Sequence, residues 1–310
     1  VVNVSVIIPC FNSEKTIRET LESVFAQTYQ DFEVIVVDDG STDRSAEIVQ
    51  SFNEKIEYIY QNNGGQSAAR NTGIRAARGK YLAFLDADDL WYPEKLEKQI
   101  AFMKSKGVDW CYCDCELFSD RSGKSFGKYS QRFYSPKAGW IAKDLMMGNS
   151  ISSPTPIVSR EIIEKAGYFN ESREIRSRED WEEWIRIALV SKIVYFPEVL
   201  AKYRIHEKSI TYGEDPNMAF AGHLAVINNL CDRFPNELGQ ARSTAISHYA
   251  AIFSKTNFLQ KEYPKAKTLI SIAINLNPLL KYKLLALFYS LPQFFLNSLL
   301  SLRSIIRRGA

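Results

Sequence analysis

Over the first 115 residues, short apolar runs alternate with longer amphipathic stretches, and this alternation limits the fold more than anything else in the chain. "VSVIIP" (4–9), "FEVIVV" (32–37), "IEYIY" (56–60), "KYLAFL" (80–85) and "VDWCYC" (108–113) are β-branched or aromatic runs of strand length. Between them lie segments with helical spacing, such as Ile17, Leu21, Val24 and Phe25 on one stripe and Ile48, Val49 and Phe52 on another. "SAARNTGIRAA" and "PEKLEKQIAFMKSK" supply two more helices, the latter opened by Pro93. Asn12 or Ser13 is expected to cap the first helix, and Ser41 or Thr42 the second. Strands that are apolar throughout, rather than at every second residue, are covered on both faces. The pattern therefore predicts an α/β protein with a mostly parallel central sheet flanked by helices.

Residues 116–214 mix polar loops with short strands ("TPIVS", "KIVYF", "LAKYRIH") and a helix starting near Asp180, and read as the second half of the same domain. Residues 215–310 read as a helical C-terminal region. Within it, "YPKAKTLISIAINLNP" has the spacing of one tetratricopeptide-like helix, which must dock on another element to cover its apolar face.

Ligands of parallel sheets bind beyond the carboxyl ends of the strands, and there the sequence concentrates its chemistry. The first strand ends in Pro9-Cys10-Phe11-Asn12, the second in Asp38-Asp39-Gly40, and the fourth in Asp86-Ala87-Asp88-Asp89. Three carboxylates at one sheet edge repel each other unless water or a cation intervenes. Oxygen donors favour a hard divalent ion, Mg²⁺ or Mn²⁺, which takes further ligands from phosphate. The same acids also suit a helix start ahead of "LWYPEKL". An acid after the second strand can accept hydrogen bonds from a ribose or base. The Gly64-Gly65 pair ahead of a helix can approach a phosphate closely, with Arg70 as its charged partner.

Together, "VSVIIPCFNSEKTIRETLESVFAQTYQDFEVIVVDDGSTD" and "NNGGQSAARNTGIRAARGKYLAFLDADDLW" closely resemble the family 2 glycosyltransferases, over residues 4–100 and more loosely to about residue 210. The resemblance implies a GT-A fold, with a Rossmann-like sheet and a nucleotide-sugar-binding half (1–115) followed by an acceptor-binding half (116–214). It implies an inverting transferase that takes its sugar from a nucleotide diphosphate, most often UDP-linked. It makes Asp86-Ala87-Asp88 the metal-and-nucleotide motif, with Asp88 the metal ligand and Asp86 nearer the ribose. It places Pro9, Phe11 and Asp39 around the base, with Asp38 an open alternative to Asp39; Asn12 is a further candidate for holding the nucleotide sugar. "SREDWEEW" is similar to the family's base motif, which gives Asp180 the role of general base and Glu179 that of its neighbour. "YRIHEKSIT" is similar to an element whose histidine, here His206, contacts the metal or diphosphate; a lone His near a strand end can equally be just hydrogen-bonded.

Charge is uneven along the chain. From Lys255 onward nine Lys and Arg face one acid (Glu262), a charge of +8, whereas the rest carries −5. With the uncharged run Leu284–Leu302, this predicts a tail, Leu284–Arg308, lying on an acidic membrane surface through basic anchors, or else a solvated helix face. Pro292, Gln293 and Asn297 make the run a poor membrane span. The five cysteines are expected to be buried thiols, the start of the chain has no signal-peptide pattern, and the setting expected is cytoplasmic, at most peripheral on the inner membrane face. Lipid-linked or other glycans are the expected acceptors, and no nucleic acid partner is implied. Two rival readings are a haloacid dehalogenase-like phosphohydrolase, whose acid motif "FLDADDLW" is similar to, and a non-enzymatic helical adaptor built on the region after Asp215. The phosphohydrolase motif belongs on the first strand of its sheet, and this one ends the fourth.

Overall fold

The computed structural model describes residues 2–52, 55–205 and 214–290. His206 and residues 291–310, which hold most of the expected membrane-facing tail, lie outside the described residues. Contacts divide the chain into two compact units, Val1–Gly213 and Glu214–Ala310.

In the first unit the strands are β1 (Val4–Cys10), β2 (Phe32–Asp38), β3 (Ile56–Tyr60), β4 (Tyr81–Phe84), β5 (Leu90–Trp91), β6 (Trp110–Ser119), β7 (Ser125–Lys128), β8 (Ile157–Ser159) and β9 (Val194–Ile205). They form one sheet in the order β3-β2-β1-β4-β8-β6-β9-β5, with β7 paired to β6. The β1–β2, β2–β3, β1–β4 and β6–β9 pairings are parallel. The antiparallel pairings of β8, β5 and β7 involve only two or three residue pairs each, so most of the ladder is parallel. The helices are α1 (Ile17–Phe25), α2 (Ser45–Gln50), α3 (Gln66–Ala76), α4 (Lys95–Lys106), α5 (Tyr129–Arg132), α6 (Ala142–Leu145), α7 (Arg160–Ala166) and α8 (Glu179–Val190). The chain steps outward from β1 to β3 and then returns to lay β4 on the other side of β1. That reversal opens a crevice at the carboxyl ends of β1 and β4.

Two residues explain how β1 tolerates its central place. The carbonyl of Cys10 accepts from Asp39 on the β2 side, whereas that of Ile7 accepts from Leu85 on the β4 side. By parity Pro9 faces the β4 side, and β4 pairs with β1 only as far as Ile7. The missing N–H of the proline therefore falls where the ladder has ended. Below it, a Cβ on Gly73 would come within 2.5 Å of the Ile7 side chain, so α3 reaches the sheet through a glycine.

Several local expectations change. The two short strands expected from "KIVYF" and "LAKYRIH" merge into one continuous strand, β9 (Val194–Ile205), irregular opposite Asp114. Leu90-Trp91 pairs with Ala201-Lys202 as β5, so the acids precede a strand rather than a helix. Neither Asn12 nor Ser13 caps α1 through its side chain. For α2, the Asp43 carboxylate accepts from the N–H groups of Ser45 (2.9 Å) and Glu14 (3.0 Å), while Ser41 accepts from Asn12 instead.

The second unit contains α9 (Pro216–Arg233), α10 (Pro235–Leu238), α11 (Arg242–Leu259), α12 (Tyr263–Leu276) and α13 (Leu280–Tyr289). The tetratricopeptide-like segment is α12, and it covers its apolar face against α11. Ala266, Leu269, Ile270 and Ala273 are buried, and Ser247 and Ser254 of α11 donate to the carbonyls of Ala273 and Ala266. Among the described residues no helix is long and apolar enough to cross a membrane.

Inside the first unit, Lys95 is fully buried, and its Nζ lies 4.3 Å from the centre of the Trp91 ring. Burial holds its pKa down to about 8. The folded state therefore binds fewer protons than the unfolded chain between about pH 8 and the ordinary lysine range, and keeping Lys95 charged costs stability below pH 8. The ring offsets part of this cost. Lys95→Met is expected to raise stability at pH 7 by on the order of 2 kcal/mol. The gain should shrink as pH rises through 8 toward 10, measured by denaturant unfolding of both proteins across that range.

Candidate active site

The carboxyl ends of β1, β2 and β4 bring Phe11, Asn12, Asp38, Asp39, Asp86 and Asp88 to one edge of the sheet. Phe11 stands half-exposed there, while Pro9 is buried inside β1. Asn12 adopts a left-handed backbone (φ 48°). Its N–H donates to Ser41 Oγ (3.0 Å), and its Oδ1 accepts from the Thr42 N–H (2.8 Å). The loops after β1 and β2 are thereby stitched together.

Asp38 and Asp39 face different tasks. Asp38 is buried and accepts from the Ser41 N–H (2.8 Å) and the Tyr58 hydroxyl (2.7 Å). Asp39 accepts from Gln61 Nε2 (2.7 Å) and from the N–H groups of Gly64 and Gly65 (both 2.8 Å). The glycine amides expected to face a phosphate are therefore engaged by an internal carboxylate. Gly65, at φ 91°, is the residue that lets the chain turn from there into α3.

The acidic run after β4 separates into an outward part and an inward part. Asp89 is buried: its Oδ1 accepts from the Arg204 N–H (2.8 Å), and its Oδ2 makes no hydrogen bond. Burial, then the charges of Asp88 and Asp86, raises its pKa well above the usual carboxylate range. Asp86 and Asp88 remain partly exposed. Arg204 holds the run in place. Its Nε donates to the Asp88 carbonyl (2.6 Å), and its terminal nitrogens pair with Asp120 and Glu19 (2.7 Å each).

Arg70 lies beneath Asp86 with 2% of its surface exposed. One terminal nitrogen donates to Asp86 Oδ1 (2.7 Å) and to Ser153 Oγ (3.3 Å), and the guanidinium sits 5.2 Å from the centre of the Phe169 ring. Gln66 donates to the same Asp86 oxygen (2.9 Å). Burial opposes the charge on Arg70. Asp86, Glu179 and Asp180 act the other way and leave its pKa raised. One buried cation thus serves carboxylates from two distant segments, after β4 and at the start of α8.

Helix α8 presents Glu179 and Asp180 in its first turn, anchored from below by a buried ion cluster. Arg186 binds both oxygens of Glu182 (3.0 Å), pairs with Glu183, and donates to the carbonyls of Ala166, Gly167 and Tyr168. Trp184 packs against Phe84 and Phe169, the ring on which Arg70 rests. Glu179 is buried. Asp180 is partly buried and accepts from Asn149 Nδ2 (3.3 Å) and from the N–H of Trp181 (2.7 Å). Burial, then the charge of Glu179, pushes the Asp180 carboxyl up to about 7, against the opposing pull of Arg70. A carboxylate that exchanges its proton near neutrality can serve as a general base.

Sequence reasoning missed Gln66, Asn149, Ser153 and Arg204. Asn149 and Ser153 stand in the polar stretch "GNSISSP", and Arg204 stands two residues before the histidine that was singled out. All five cysteines are buried and free, and among the described residues no three His, Cys, Asp or Glu side chains form a complete metal cage. Asp86 and Asp88 are a sparse, all-oxygen donor set. Such a set fits a hard dication that takes most of its ligands from phosphate and water.

Arg70→Met is expected to destabilise the protein by about 3 kcal/mol, because Asp86 and Glu179 lose their buried counter-charge. It should also move the Asp180 midpoint above 7, followed by carboxyl NMR titration.

Comparison with known proteins yields a consistent set. The family model described as Glycosyl transferase family 2 matches residues 5–152. An uncharacterized glycosyltransferase of Rickettsia prowazekii is 36% identical over 211 residues, which are 67% of this chain and 65% of that protein. The chain thus spans just under two thirds of the length of this relative. The putative teichuronic acid biosynthesis glycosyltransferase TuaG of Bacillus subtilis is 32% identical over 213 residues, 67% of this chain and 81% of TuaG. Among solved structures, S. aureus TarS 1-349 in complex with UDP-GlcNAc superposes with a TM-score of 0.66 at 22% identity, covering 88% of this chain and 81% of that one. The mannosyltransferase PcManGT from Pyrobaculum calidifontis, in complex with GDP-Man and Mn²⁺, gives 0.57 at 18%, covering 93% and 84%. At these identities the two structures speak for the fold, a GT-A-like sheet.

Proposed function

Because the chain belongs to glycosyl transferase family 2, we propose that it moves a sugar from a nucleotide diphosphate donor, a UDP-sugar, to a hydroxyl of a glycan or lipid-linked glycan, with inversion at the anomeric carbon. The observation that carries this reading is Asp180. It sits in the first turn of α8 with a pKa of about 7, in the field of the Arg70 that pairs with Asp86. In the proposed reaction the acceptor oxygen attacks the anomeric carbon as its proton passes to an Asp180 carboxylate oxygen. The bond from that carbon to the diphosphate oxygen breaks, and the electron pair leaves with UDP. A sugar hydroxyl is a poor nucleophile, so a positioned base lowers the barrier directly. A single displacement needs no second, nucleophilic carboxylate.

Phe11, exposed at the end of β1, gives the base an aromatic face, with Asp39 and the stitched loops beside it. Asp88, with Asp86, would hold Mn²⁺ or Mg²⁺, which supplies charge neutralisation for the departing diphosphate. TarS structures with UDP and UDP-GlcNAc, and the putative role of TuaG in teichuronic acid biosynthesis, support a UDP-sugar donor and a cell-surface polysaccharide product. The phosphohydrolase reading loses its footing, since the acid run ends the fourth strand of a sheet built in GT-A order.

Incubation with radiolabelled UDP-sugars is expected to show slow donor hydrolysis or transfer; phosphate release from simple phosphomonoesters, without any use of sugar nucleotides, would refute the proposal. Asp180→Asn should cut turnover by about 1,000-fold or more while UDP binding in calorimetry stays within about twofold of the parent. For the parent, kcat/KM should fall as pH drops below about 7, because protonation of Asp180 removes the base. A flat profile from pH 5.5 to 8 would contradict that role.

A further inference from the structure

From Arg121 to Lys143 the chain carries six Lys and Arg and not one Asp or Glu, in a protein whose net charge is only +3. Five aromatic residues are interleaved with these bases: Phe126, Tyr129, Phe133, Tyr134 and Trp140. Most of the segment is exposed, with Phe133 at 51% and Trp140 at 59%.

The end of this segment shapes an open groove of about 460 Å³, lined by Tyr134, Lys137, Lys143, Asp144, Gly148 and Ser150 among others. Gly148 makes room for one wall, since a Cβ there would collide with the Tyr134 ring. Two lysines face one acid. Lys137 pairs with Asp144 at 3.3 Å, but both are about half-exposed, and a pair of that kind is worth little and exchanges readily for another anion. Lys143 is exposed and has no carboxylate within ion-pair distance among the described residues. Two of the lining residues are chain neighbours of a residue that touches the proposed base. Gly148 and Ser150 flank Asn149, whose amide donates to Asp180.

We propose that this groove receives an anionic acceptor: a glycan bearing phosphate or carboxylate groups that Lys137 and Lys143 bind, with a sugar face against Tyr134. The assignment rests on the reading of Asp180 as the base and adds the charge class of the acceptor to it. Single-stranded nucleic acid would also suit bases mixed with aromatic rings. The glycan is favoured because Gly148 and Ser150 of the groove flank Asn149, which hydrogen-bonds the carboxylate that would activate a sugar hydroxyl.

The test is calorimetric binding of four probes at two salt concentrations, each with and without UDP: oligogalacturonate, oligo(glycerol phosphate), neutral maltohexaose and single-stranded oligothymidine. The two anionic carbohydrate probes should bind with salt-sensitive affinity, and maltohexaose and oligothymidine about tenfold more weakly or not at all. Whichever anionic probe binds more tightly identifies the acidic group. The double variant Lys137→Ala/Lys143→Ala, and separately Lys143→Glu, should lower that affinity about tenfold. UDP binding should be unchanged in both, because neither lysine lies in the nucleotide-binding half. Equal affinity for maltohexaose, indifference to the lysine changes, or oligothymidine binding as tightly as the anionic sugars would overturn the proposal. UDP binding is scored separately, so loss of the donor reading and loss of this one give different results.

Discussion

The buried guanidinium of Arg70 is the point on which the two halves of the site depend. A cation with 2% exposure is tolerable only among compensating charges, and here these come from Asp86 and from the first turn of α8. The same group lies on Phe169, which packs on Trp184 of that helix. Charge and packing therefore make the same connection between segments about a hundred residues apart. Asp86 and Asp180 thus lie in the field of the same buried cation.

The second anchor lies under the same helix. Arg186, Glu182 and Glu183 are all essentially unexposed, and every guanidinium nitrogen of Arg186 has a partner. Such a cluster contributes little net stability compared with an apolar core of equal volume, but breaking it by removing one member is expensive. Its evident effect is to fix where α8 begins, and with it the height at which Glu179 and Asp180 meet the crevice. Arg204 does comparable work for the acidic run, by taking Asp89 inward and leaving Asp86 and Asp88 at the edge.

How much could be read from residues alone followed the physics of each element. The long parallel strands were legible because covering a strand on both faces leaves a continuous apolar signature. Strands β5 and β7 were not, because Leu90-Trp91 and Ser125–Lys128 are extended through pairing with β9 and β6 rather than through any preference of their own. The acidic run and the charged start of α8 stood out as dense clusters of one residue type. What was hidden were the single polar residues that hold them: Gln66, Asn149, Ser153 and Arg204 are common residues in ordinary surroundings, and only the fold brings them into reach. The same holds for Arg70: its type suggested a phosphate partner, and only the fold shows it buried against Asp86.

The left-handed turn at Asn12 has one more effect. Because its backbone and side chain both bind the neighbouring loop, the walls after β1 and β2 cannot rearrange independently. In the proposed site, a base entering beside Phe11 would meet a cleft already shaped, so little freedom would be lost on entry and discrimination between bases would fall to geometry set during folding rather than to closure around the guest.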